Sequence, residues 1–217
     1  MVKPAPENKL SGKFPLLPGR NKWRGMTIGL LGGSFNPAHA AHREISLAAL
    51  KRLRLDHVWW LVSPQNPLKG TGDMASLADR VAKAREVAAH PHITVMDLEK
   101  RMRTNYTADT LRILVERFPD VRFVWLMGAD NLGQFDKWQK WEQIAELVPF
   151  AIFDRPGYSM MANASKTAQR FHRQRLSETQ APLLPGMKPP AWVFCHGRKN
   201  PLSATAIREK SLYSERL

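Results

Sequence analysis

Short apolar runs alternate with stretches of helical spacing along most of the chain. Met26 to Leu31 is a compact apolar run, the mark of a fully buried strand, and it ends in Gly32-Gly33-Ser34-Phe35-Asn36-Pro37. From His39 to Leu53 the apolar residues fall at Ile45, Leu47, Ala48, Leu50 and Leu53, which predicts a helix. The same alternation then repeats. Strands are expected at His57 to Val62, Ile93 to Met96, Val121 to Met127, Phe150 to Phe153 and Trp192 to Cys195. Helices are expected at Leu77 to Ala89, Thr107 to Phe118, Trp138 to Leu147 and Ala204 to Leu212. Residues 160–190 are least regular: KTAQRFHRQR reads as a basic helix and APLLPGMKPP as a proline-rich loop. Strand–helix alternation of this kind predicts an α/β fold: a Rossmann-like, doubly wound, mostly parallel sheet with helices on both faces, in one domain over residues 25–217. Residues 1–24, with four prolines, two glycines and six Lys or Arg, read as a flexible basic tail.

Composition narrows the classes. At 217 residues, 43% hydrophobic and 24% charged, the chain suits a globular domain rather than a disordered or fibrous one. No apolar run approaches the roughly 18 residues of a membrane span, and the N-terminal segment lacks the apolar centre of a secretory signal. One cysteine, Cys195, can make no internal disulfide and leaves too few thiols for a cysteine-based zinc site. A cytoplasmic location is expected. The net charge of +14 favours an anionic partner but does not choose among nucleic acid, a membrane surface and a phosphorylated small molecule.

The turn after the first strand carries the most chemistry. Gly32 and Gly33 leave the backbone accessible where a strand hands over to a helix, and a helix N-terminus presents free N–H groups and partial positive charge. The sequence contains neither GxGxxG nor GxxxxGK[ST] in the required context, so the dinucleotide fingerprint and the P-loop are excluded. Instead His39 and His42 stand at i and i+3, on one helix face near its start. At an ordinary pKa of about 6.5, a neighbouring polyphosphate would hold such imidazoles protonated. Two surface or capping histidines are the plainer reading, and a metal pair lacks a third ligand at recognisable spacing. Near the other end, Ser203, Thr205 and Arg208 place two hydroxyls and a guanidinium at a second helix start, suited to phosphate, although a capped helix with a solvated arginine would look the same.

Taken together, GGSFNPxHxxH and SxTxIR resemble the signatures of the HxGH nucleotidyltransferase superfamily. The intervening segments, Pro64 to Lys69, Asp79-Arg80, Tyr106 to Leu111, Gly128 to Asp130, Phe135 to Trp138 and Arg155-Pro156-Gly157, are similar in order to the bacterial nicotinate-nucleotide adenylyltransferases over about residues 26–212. The sequence departs from that pattern at Ala41, where the family usually has Gly, at Asn36 for Asp, and at Leu68, where many members have His. The resemblance implies transfer of AMP from ATP to nicotinate mononucleotide, forming deamido-NAD and pyrophosphate in NAD biosynthesis. It implies His39, His42 and Arg208 as catalytic groups on the phosphates. It implies Gly32, Gly33, Ser34, Phe35, Gly128, Asp130, Ser203, Thr205 and Ile207 around ATP, with Asp130 near the ribose. Asn66, Lys69, Thr107, Asp109, Trp138 and Arg155 are implied around the mononucleotide, with Trp138 stacked on the nicotinate ring. Mg²⁺ would be carried by the ATP phosphates, with few or no protein ligands. Trp59, Trp60 and Trp125 are expected in the core.

Other readings stay open at this point. A sister enzyme would act on nicotinamide mononucleotide or phosphopantetheine. A nucleic-acid-binding module would need basic residues clustered among exposed aromatics, and only KTAQRFHRQR offers this. A regulatory relative with an inactive site is a third. The expected partners are ATP and nicotinate mononucleotide, with no membrane, with nucleic acid disfavoured and with a homo-oligomer left open.

Overall fold

The computed structural model describes residues 20–64, 74–155 and 158–197. Asn66, Lys69, Ser203, Thr205, Ile207, Arg208 and the expected closing helix lie outside the described residues, as does most of the expected tail. Seven strands form one sheet: β1 Thr27–Gly33, β2 His57–Val62, β3 Ile93–Met96, β4 Arg122–Gly128, β5 Phe150–Phe153, β6 Arg175–Leu176 and β7 Trp192–Cys195. Their order is β3-β2-β1-β4-β5-β7-β6, and every pairing is parallel. The helices are α1 Ala40–Arg52, α2 Leu77–Ala88, α3 Leu98–Met102, α4 Thr107–Arg117, α5 Ala129–Leu132, α6 Trp141–Leu147, α7 Ser159–Asn163 and α8 Lys166–Arg170. This is the Rossmann-like α/β architecture expected from the alternation.

Both faces of the sheet are covered, so its central strands are mostly apolar and adjacent residues serve opposite layers. Trp59 packs with Trp23, Phe118 and Phe123 under α4 and α6, while Trp60 packs on the other face under α1 and α2. Burying each of these indoles contributes about 5 kcal/mol at most on area grounds. Trp59, Trp60 and Trp125 are all core, as expected.

The elements differ from the sequence reading in several places. Trp23, inside the expected tail, is buried against Trp59 and His57, and Arg20–Trp23 form a 3-10 turn. The helix expected from Trp138 begins only at Trp141. Phe135–Lys137 make a separate 3-10 turn, and Lys140 sits at φ 57, in the left-handed region that a continuous helix cannot use. KTAQRFHRQR is not one helix but α8, a short 3-10 turn and the start of β6. The proline-rich stretch is not a plain loop: Glu178–Gly186 is a 3-10 helix containing Pro182 and Pro185. The short α3 had no sequence signal.

Candidate active site

Chain order places β2 and β3 on one side of β1 and β4 to β7 on the other, so β1 and β4 flank the point where the winding reverses. Ligands of open parallel sheets bind outside the carboxyl ends of the strands at such a point. The β1–α1 turn stands there. Phe35 holds φ 46, in the left-handed region, and its buried ring stacks on Trp60 at 5.0 Å and 15° and leans on His42 at 4.7 Å. Trp60 Nε1 donates to Ser46 Oγ (2.7 Å), whose hydroxyl donates to the His42 carbonyl (2.8 Å). Aromatic packing from β2 therefore fixes the first turn of α1. Gly32 has a structural role that its accessibility to ligand did not suggest: a Cβ there would lie 2.4 Å from Trp125 Cη2. Gly33 is not so constrained, because its Cβ would meet the Phe35 ring at 3.5 Å.

His39 caps α1 and His42 follows one turn in; their ring centroids are 3.9 Å apart. The His39 backbone N–H donates to His42 Nδ1 at 3.2 Å. That nitrogen is therefore unprotonated, and a neutral His42 carries its proton on Nε2. The capping reading is thus literally true of His42, and it aims an N–H away from the cap. Burial is the main cause lowering both pKa values, His39 to about 4 and His42 to about 3. Arg155 lowers both further, His39 lowers His42, and Asp130 works against the shift of His39. With no polyphosphate beside them, both rings are neutral at pH 7, because burial disfavours the cation. Each neutral ring carries one N–H, and a polyphosphate placed beside them would push their pKa values up. His39 Nδ1 is buried without a hydrogen-bond partner.

Across the reversal point, Gly128 ends β4 and Asp130 lies in the first turn beyond it. Asp130 Oδ2 accepts from Arg155 Nη1 at 2.8 Å, while Oδ1 is buried and unpartnered. A Cβ on Gly128 would stand 2.4 Å from that Oδ1 and 3.1 Å from Arg155 Cδ, so only glycine lets the carboxylate sit against the strand end. Arg155 follows β5 closely. The structure thus brings His39, His42, Gly128, Asp130 and Arg155 to neighbouring strand ends, and the charges of Asp130 and Arg155 act on His39. Arg155, expected on the mononucleotide, is here tied to Asp130.

The other expected residues fall as follows. Ser34 follows β1, and its carbonyl accepts from Arg80 Nη1 at 2.6 Å. Thr107, half-buried, opens α4. Asp109 is ion-paired with Arg112 and, at 3.3 Å, with Lys140, linking α4 to the residue that caps α6. Trp138 is half-buried with its ring edge-on to Phe135 at 5.3 Å and to Trp125 at 6.3 Å, which leaves part of its surface free for a planar ligand. Of the departures, Ala41 is buried, and Asn36 Oδ1 accepts from the Ala75 N–H at 3.3 Å.

Two polar residues near the site had not been singled out. Arg80 is buried on α2. Glu99 is buried on α3 and bonds Ser63 and Thr110, yet its Oε2 has no partner; burial pushes its carboxyl up to about 7 despite those bonds. Arg80 had appeared only inside a matching segment, and nothing in the sequence marks either side chain as interior.

A parallel α/β sheet whose reversal point holds a helix start, two imidazole donors and a carboxylate defines a nucleotide-binding protein of the phosphate-transfer kind. The family model described as cytidylyltransferase-like matches residues 30–210. Three relatives are each named "Probable nicotinate-nucleotide adenylyltransferase". That of Methylorubrum extorquens is 52% identical over 185 residues, covering 85% of this chain and 100% of its own. That of Brucella suis biovar 1 is 49% identical, covering 86% and 96%. That of a Bradyrhizobium species is 55% identical, covering 84% and 95%. Among solved structures, the Plasmodium falciparum nicotinic acid mononucleotide adenylyltransferase complexed with NaAD shares the fold, with a TM-score of 0.65 at 17% identity over 85% of this chain and 83% of that one. The chain belongs to the cytidylyltransferase-like family and, within it, to the nicotinate-nucleotide adenylyltransferases.

Proposed function

We propose that this protein transfers the adenylyl group of ATP to the 5′-phosphate of nicotinate mononucleotide, yielding deamido-NAD and pyrophosphate. The observation that carries the reading is the gathering of His39, His42, Asp130 and Arg155 at one set of strand ends, in a chain 52% identical to a relative of that name along the relative's whole length. A mononucleotide phosphate is already ionised at pH 7, so it attacks the α-phosphorus in line without a general base. One P–O bond forms to the mononucleotide, and the bond to the β-phosphate breaks to release pyrophosphate. Such a reaction asks the protein for alignment and for stabilisation of charge on the phosphoryl oxygens. His42 Nε2–H, His39 and the free N–H groups at the start of α1 supply donors for that charge. Neutral donors suit the task, because the site binds an anion without first burying two cations. Asp130 has one buried oxygen without a partner, which supports its accepting from a ribose hydroxyl. Trp138 offers a partly open indole to the pyridine ring.

Among the described residues, no three His, Cys, Asp or Glu side chains are grouped to hold a metal. Magnesium carried in on the triphosphate needs no such group, and it would offset part of the phosphate charge. No described helix is long and apolar enough to cross a membrane. The lone thiol of Cys195 is buried and pushed up to about 11, mainly by that burial, so it is unreactive.

The test is pyrophosphate release from ATP plus nicotinate mononucleotide. His42→Ala should lower kcat by roughly 10²–10³-fold, the usual effect of removing one donor to a developing oxyanion. No release by the wild type would overturn the reading, and equal turnover of nicotinamide mononucleotide would overturn the preference for the acid.

A further inference from the structure

Arg80 is 3% exposed, and its guanidinium is engaged by backbone carbonyls from three separate segments. Nη1 donates to Ser34 O at 2.6 Å and to Ser63 O at 2.7 Å, Nη2 to Pro64 O at 2.9 Å and Nε to Ala75 O at 3.0 Å. Ser34 belongs to the turn that leads into His39 and His42. Ser63 and Pro64 leave β2, and Ala75 precedes α2. Among the described residues no carboxylate forms a salt bridge with Arg80, and burial alone lowers its pKa. Burying an uncompensated guanidinium is costly unless its donors are satisfied, so a neutral residue would serve a purely structural contact more cheaply. Ser63 multiplies the links: its N–H donates to Gly33 O at 2.9 Å, and its side chain bonds Glu99, which in turn bonds Thr110 on α4.

We propose that Arg80 is a positioning residue for the transfer reaction: one planar guanidinium locks the β1–α1 turn to the exit of β2, so that the imidazoles and backbone N–H groups of that turn stay aimed at the phosphates. The role rests on the function proposed above. It explains the choice of arginine. A lysine ammonium is a single point with three donors and cannot span carbonyls on three segments, whereas the guanidinium fork does so without rearrangement. Displacement of a phosphate-holding turn by about 1 Å can cost on the order of 10²-fold in rate.

Arg80→Lys is the informative variant, because it keeps the charge and most of the volume. With folding checked by near-UV circular dichroism and thermal melting, kcat per folded molecule should fall tenfold or more while KM for ATP changes less than about threefold. Amide hydrogen exchange should quicken at Ser34–Phe35 and at Ser63 together. A melting point lowered with kcat unchanged would overturn the proposal, since that is what a merely structural contact gives. Exchange that rises only along α2 would also overturn it. Should the variant fail to fold, the wild type still decides. Its Arg80 Nε–H and Nη–H resonances should be resolved and slow to exchange with water, and a rotationally averaged guanidinium signal would overturn the lock. Wild-type protein without turnover would sink the adenylyl-transfer reading and this role with it; wild-type turnover with an unaffected Arg80→Lys would sink this role alone.

Discussion

Lowering the pH from 7 to 5 should destabilise the empty protein through His39 and His42, and the size of the effect follows from their surroundings. Their pKa values fall from 6.5 to about 4 and about 3, chiefly because burial disfavours the imidazolium. Between the unfolded value and these folded values the unfolded chain binds more protons than the native one, so stability is complete above pH ~6.5 and is lost as the pH drops toward about 4 for His39 and about 3 for His42. For one ring the loss from pH 7 to pH 5 is about 2 kcal/mol. Two rings, with allowance for the solvent that reaches the pair, give about 3 kcal/mol. For a chain of this size that is a fall of roughly 6–12 °C in melting temperature. Other groups titrate in the same range; His57, also lowered to about 4 mainly by burial, is one. The comparison is therefore between the wild type and a His39→Asn, His42→Asn double variant, each melted at both pH values without ligand. The variant is less stable at pH 7, but its melting point should drop less between pH 7 and pH 5. Equal drops in the two proteins would refute the claim that the native site holds its imidazoles neutral. Inorganic tripolyphosphate adds a second check: an anion favours the protonated rings, so its stabilising effect should grow as the pH is lowered.

Gly128→Ala should fold close to normally and lose activity, because its Cβ would meet the movable carboxylate of Asp130 at 2.4 Å rather than backbone; nucleotide-analogue binding by calorimetry should weaken tenfold or more, and unchanged affinity would count against Asp130 as a nucleotide contact. Gly32→Ala should instead act on stability, since the intruding methyl meets the buried Trp125 ring; thermal melts should show a loss of about 1–3 kcal/mol, and a neutral result would mean the ring has room to move. Trp138→Ala should raise KM for the mononucleotide by roughly tenfold, the worth of one aromatic contact, with KM for ATP little changed. Initial-rate kinetics with each substrate varied would read both.

Much of the fold was legible because a sheet covered on both faces demands apolar runs, and Val58 to Val62, Phe123 to Met127 and Phe150 to Phe153 have no other sensible place. Arg175–Leu176 was not legible: two residues carry no pattern, and this edge strand exists only because it pairs with Trp192 and Val193. Phe135, Trp138 and Trp141 fall at three-residue intervals and so imitate a helix face. The interruption at Lys140 is a backbone event that its side chain does not advertise. His39 and His42 could be found from their spacing, but their protonation state could not. For His42 that state depends on Phe35 and Trp60, which pack against its ring from the turn and from β2. Arg80 was hidden for a related reason: arginines are ordinarily exposed, and only the convergence of four carbonyls on three segments makes an interior one tolerable.

These features together give the site a consistent electrostatic design. A pocket meant for a triphosphate needs positive potential, yet several free cations buried side by side would repel one another and strain the fold. Burial keeps the histidines neutral, and Arg155, although paired with Asp130, adds its charge against their protonation. What is fixed beside them is the partial positive charge at the start of α1. An incoming polyphosphate therefore meets attraction that is already in place. Its charge would then raise the pKa values of the imidazoles and so strengthen their hold on it.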